Sequence, residues 1–127
     1  MKLYFFSSVS LLSRQLKEGL QERDAPVGVT LEFHGPLLFE SPKCSAVPLP
    51  EIRYTLEIPN SRMGSMKWVK TPSGSGYVYI GKEGVISEWI VLVEKLTRNH
   101  QYQRISLQEL STILKASAGS EEKNENG

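Results

Sequence analysis

Apolar and polar residues alternate strictly in two stretches of the chain. Val27, Val29, Leu31 and Phe33 interleave with Gly28, Thr30, Glu32 and His34, and Ile52, Tyr54, Leu56 and Ile58 interleave with Glu51, Arg53, Thr55 and Glu57. A period of two puts each apolar set on one face of a strand, so both stretches predict sheet that is packed on one side and wet on the other. Shorter strands are predicted at Lys2 to Phe6, Leu37 to Phe39, Met66 to Lys70 and Tyr77 to Ile80. Pro36 before Leu37 suits an edge or the start of a strand, because proline gives no amide to a ladder. The last two strands form a hairpin around Thr71-Pro72-Ser73-Gly74-Ser75-Gly76, a six-residue loop in which glycine takes positive φ at little cost.

A spacing of three and four marks the helices. Val9, Leu12, Leu16 and Leu20 form one stripe opposite Arg14, Lys17, Glu18 and Gln21, predicting a helix from Ser7 or Ser8 to about Arg23, stopped by Asp24-Ala25-Pro26. Ile86, Trp89, Ile90, Val93 and Leu96 predict a second, ending near Arg98-Asn99-His100. Ser106-Leu107-Gln108-Glu109 fits a capping box and opens a third, which carries Leu107, Leu110, Ile113 and Leu114. Ser41 to Pro50 contains three prolines and no periodicity, and reads as a loop.

The expected fold class is therefore α+β, an antiparallel sheet of about five to six strands packed against two to three helices in the order β-α-β-β-β-β-β-α-α. Residues 1–118 are expected to form a single domain. Gly119 to Gly127 holds no apolar side chain and is expected to be a solvated polar tail. No internal repeat is visible.

Composition narrows the class without naming an activity. With 127 residues, 39% hydrophobic and 23% charged, the chain is long enough to bury a core without metals or disulfides. One cysteine, Cys44, excludes an internal disulfide and favours a reducing, cytoplasmic compartment. The opening Met1 to Leu12 has a lysine and then apolar character, but three serines interrupt it and no small-residue cleavage site follows, so a secretory leader is not expected. No apolar run is long enough for a spanning helix, and no membrane association is expected.

Candidate chemistry is sparse. Glu32 and His34 share the wet face of one strand, close enough for a carboxylate to orient an imidazole, but the pair is a weak acid/base signal and a polar edge beside the Gly35-Pro36 turn accounts for them better. His100, at a predicted helix C-terminus, reads as a dipole-facing cap. Cys44 has one neighbouring cation, Lys43, which is little to activate a thiol. Two histidines and one cysteine give no zinc spacing, so no metal is expected. Ser73-Gly74-Ser75-Gly76 resembles an anion cradle in composition, but no lysine-serine pair and no helix follow it, so no nucleotide cofactor is implied.

Charge is unevenly spread. Residues 60–104 carry seven Lys+Arg against three Asp+Glu, and from Asn60 through Lys82 there are four cations and no acid. The binding residues singled out are Arg62, Lys67, Trp68, Lys70, Tyr77, Tyr79 and Lys82. If Val78 and Ile80 face the core, Tyr77 and Tyr79 face solvent together, which is what stacking on bases requires. The same residues also suit a plainer role, with rings covering the sheet edge and lysines guarding it against other chains.

The expectation is a small non-catalytic binding or accessory protein that recognises an anionic partner, whether nucleic acid, nucleotide or acidic protein surface, through this basic-aromatic hairpin. The alternative is a protein-interaction module or inhibitor that uses the same sheet face, including Arg53, and forms homodimers or larger oligomers.

Overall fold

A computed structural model describes residues 1–21, 24, 35–44, 48–71 and 74–115. The strands are β1 (Lys2–Ser7), β2 (Leu37–Phe39), β3 (Ile52–Glu57), β4 (Met66–Thr71), β5 (Gly74–Tyr79), β6 (Ile90–Leu96) and β7 (Tyr102–Arg104). They form one antiparallel sheet in the order β4-β5-β2-β1-β3-β6-β7. Helix α1 (Val9–Glu18) and a second helix, α2 (107–115), complete an α+β architecture.

The β3 alternation acts as its pattern predicts. Ile52, Tyr54 and Leu56 are fully buried, as is Ile58 beyond the strand. Opposite them on β1 stand Leu3 and Phe5, with Phe5 stacked on Tyr54 at 6.2 Å between ring centres. Leu12 of α1, then Leu20, Val85 and Ile105, join the same cluster. Burial of apolar side chains at this density is the main force holding the sheet to its helical cover.

Helix α1 is shorter than its stripe suggests. It stops at Glu18 because Gly19 takes φ +78°, where its amide donates to the Gln15 carbonyl. A Cβ there would lie 2.1 Å from the Val85 carbonyl oxygen, so only glycine fits. Leu20 then exchanges two backbone hydrogen bonds with Val85 and ties the helix end to the segment before β6.

The helix predicted from Ile86 onward is a strand. A short 3-10 turn, Ser87–Trp89, leads into β6, which lies between β3 and β7 with a bulge at Val91. Ile90-Val91-Leu92-Val93 is rich in β-branched side chains, and two flanking strands offer it backbone partners, which outweighs the coincidental helical spacing. His100 consequently sits at φ +59° in the β6–β7 turn and caps no helix.

The sheet therefore has seven strands among the described residues, and the order after β3 departs from the expected one. The expected strand Val27 to Phe33, with Glu32 and His34, lies outside the described residues, as does the tail from Gly119 to Gly127. Pro36 precedes an interior strand, but by one position, so its missing amide falls outside the ladder. Ser106 caps α2 as predicted, accepting from the Glu109 amide at 3.1 Å, while the Glu109 carboxylate turns instead to Lys95 at 2.9 Å.

Candidate functional site

The basic-aromatic hairpin exists, and it occupies one end of the sheet. Its pairing runs from Met66↔Tyr79 to Thr71↔Gly74, so the connection is two residues long and the predicted six-residue loop is mostly strand. Gly76 belongs to β5, and a Cβ on it would fall 2.3 Å from the Leu38 carbonyl oxygen of β2. The glycines here permit close strand approach as well as a turn.

Alternation along β4 sends Met66, Trp68 and Lys70 to the helix-covered side of the sheet and Lys67 and Val69 to the other. Met66 is buried, but Trp68, farther toward the hairpin tip, is 56% exposed. Lys67, Lys70 and Lys82 are exposed, and among the described residues none of the three is in an ion pair.

The two tyrosines do not form an outward platform. Tyr79 is 1% exposed and packs edge-on against Trp89, with ring centres 5.8 Å apart. Tyr77, across from Trp68, is half-buried. Successive residues of a strand point to opposite faces, and Val78 and Tyr79 are both buried, so β5 is packed on both faces, while Ile80 just beyond it is exposed. A two-residue period distinguishes faces; it does not reveal that both are covered.

Sequence reasoning also missed Glu83. This carboxylate accepts a hydrogen bond from the Tyr79 hydroxyl and lies 3.6 Å from the Arg62 guanidinium. Burial, followed by this hydrogen bond to Glu83, pushes the Tyr79 hydroxyl up to about 12. The hydrogen bond from Tyr79 in turn holds Glu83 below the usual carboxylate range. Glu83 is the residue immediately after the acid-free stretch, and folding brings it back over that stretch's first cation. Arg62 is thereby partly neutralised, and the free positive charge is that of the lysines.

Arg53 belongs to a different cluster. Its guanidinium donates to Glu94 from Nε at 3.0 Å and from a terminal nitrogen at 2.8 Å, donates to the Pro42 carbonyl at 2.9 Å, and lies 4.6 Å over the Tyr102 ring. These bonds tie β3, β6, β7 and the proline-rich loop together and leave Arg53 unavailable to a partner. Cys44 is partly buried.

Among the described residues, no group of three or more His, Cys, Asp or Glu is placed to hold a metal ion, and no helix is long and apolar enough to cross a membrane. No family model, no curated protein and no solved structure matches the chain.

Proposed function

We propose that this chain is a non-catalytic binding protein whose working surface is the β4 end of the sheet, and that it recognises an anionic partner. The observation that carries the reading is Trp68, an exposed indole set between Lys67 and Lys70 on the strand at the sheet's margin. A large aromatic ring left in water is costly unless something covers it, and tryptophan dominates binding hot spots where it is covered. Lys82 adds a further exposed cation on the turn after β5. A cytoplasmic setting is part of the proposal, supported by the single cysteine.

Binding of labelled single-stranded oligonucleotide and of polyglutamate at two salt concentrations tests the reading. An anion recognised by three lysines on single-stranded nucleic acid should lose affinity with a log-log salt slope of about −2. Reversing Lys67→Glu and Lys70→Glu together should abolish binding, and Trp68→Ala should weaken it at every salt concentration. Absence of binding to either anion at low salt overturns the proposal.

A further inference from the structure

We infer that β4 accepts an acidic, extended segment of a partner protein as an added antiparallel strand. The inference rests on the anionic-partner reading above and specifies the partner's chemistry. Ile80 donates its amide to the Ser65 carbonyl at 2.8 Å, which makes 65 and 80 a hydrogen-bonded pair in register with Met66↔Tyr79. Such pairs recur at every second residue of an antiparallel ladder. The backbone groups of Lys67, Val69 and Thr71 therefore turn toward β5, and those of Trp68 and Lys70 turn outward.

Met66 agrees with this phase, since its amide bonds to the Met63 carbonyl and not to β5. Among the described residues β4 is paired on one side only, and the outward amides and carbonyls of Trp68 and Lys70 have no partner. An unpaired row of this kind is a template for another strand.

The side chains select which strand. Read antiparallel, an incoming segment meets Lys70, Val69, Trp68 and Lys67 in that order. Acidic residues opposite the two lysines and an apolar residue opposite Trp68 give the pattern acidic, any, apolar, acidic over four consecutive positions. A second copy of β4 would bring more lysines to the same edge, which opposes self-pairing. In this chain's own tail Glu122 and Glu125 have the charge spacing, but Asn124 stands where the apolar residue is needed.

The test uses the full chain and a short labelled threonine-rich peptide centred on Glu-Thr-Val-Glu, with a second peptide N-methylated at the valine. Methylation leaves charge and side chain in place and removes the amide that would donate to the Trp68 carbonyl. Fluorescence anisotropy should show the first peptide binding and the methylated one weakened about tenfold or more. Lys67→Glu with Lys70→Glu should abolish binding of the first. By NMR, hydrogen exchange at the Trp68 and Lys70 amides should slow in the complex with this peptide and stay fast with an oligonucleotide.

Equal binding of the two peptides, or binding of oligonucleotide and of neither peptide, overturns strand addition and leaves the anionic-partner reading intact. Failure of every anion overturns both. Protection of the Trp68 amide in the free protein would mean that the chain itself or a second copy already fills the edge, and would also overturn the inference.

Discussion

The network beside α1 and the β4 edge of the sheet treat polar side chains in opposite ways. Near α1, Gln15 is fully buried, accepting from Ser7 at 2.6 Å and Tyr54 at 2.8 Å and donating to Asp24 at 2.9 Å. Asp24 also accepts from Arg14 at 2.5 Å and from the Gln21 amide at 2.7 Å. No buried side-chain nitrogen or oxygen among the described residues lacks a hydrogen-bond partner, so the cost of burial is offset and the network fixes how the helix sits on β1 and β3. At β4 an indole and two lysines stand in water, with Lys82 exposed on the turn after β5, and none of the three lysines is in an ion pair among the described residues. Saturated polar groups at one place and unsaturated ones at another separate a structural role from a recognition role more sharply than residue type does. Arg14 and Arg53 are bound into the fold; Lys67 and Lys70 are not.

The contrast can be broken by substitution. Leu12→Ala, in the fully buried cluster, should destabilise the protein by about 2–5 kcal/mol. Trp68→Ala should leave stability within about 0.5 kcal/mol while weakening binding. Comparing urea midpoints and partner affinity for the two variants tests both halves, and a large stability loss from Trp68→Ala would make the indole part of the core.

Next in size is Asp24→Ala, which strands the Arg14, Gln15 and Gln21 donors and should cost about 1–3 kcal/mol. Although burial works to raise the Asp24 pKa, the hydrogen bonds from Arg14, Gln21 and Gln15 hold it below its ordinary 3.8. Its contribution to stability is therefore present above that value and is lost as pH falls through the lowered one. Urea unfolding across the acid range should show this loss in the wild type and a flatter profile in the variant.

The smallest effect is expected at Arg62, whose ion pair with Glu83 is exposed on both sides. Arg62→Ala should not move the denaturation midpoint measurably. It should also alter binding less than either lysine reversal, because the arginine's charge is already engaged.

What could be read from the sequence followed from how many faces an element buries. β3 and α1 each carry a single apolar stripe, and their periods identify Ile52, Tyr54, Leu56, Leu12 and Leu20 as core, although Thr55 on the other face of β3 is buried as well. β6 lies between two strands, with Val93 facing Tyr54 and Leu92 facing Thr55. A strand with apolar residues on both faces loses its period of two, and Ile86, Trp89, Ile90, Val93 and Leu96 then mimic a helix. The same ambiguity misassigned Tyr79.

At the candidate site, Lys67, Lys70 and Lys82 are exposed as their charge suggested, and Trp68 is exposed although alternation puts it on the same face as buried Met66. The pairing of Arg62 with Glu83 depends on a turn bringing together residues from different elements, which local pattern does not encode. Gln15 carried no local signal either, since its burial depends on Ser7, Tyr54 and Asp24 converging from separate parts of the chain.

The strand order also sets a timetable for folding. Among the described residues β4–β5 and β6–β7 are sheet neighbours joined directly by short turns, and hairpins of this kind close within about 1–10 μs. The central strand β1 precedes both of its partners in the chain, so Tyr4 waits for Phe39 and Leu3 for Leu56 before it can pair. Closing those long loops precedes any reward from the sheet, which points to refolding in milliseconds to seconds and not microseconds. During that interval β1 leaves Leu3, Tyr4, Phe5 and Phe6 unpaired, an apolar and aromatic strand of the kind that exposes a partly folded chain to aggregation until β3 reaches it.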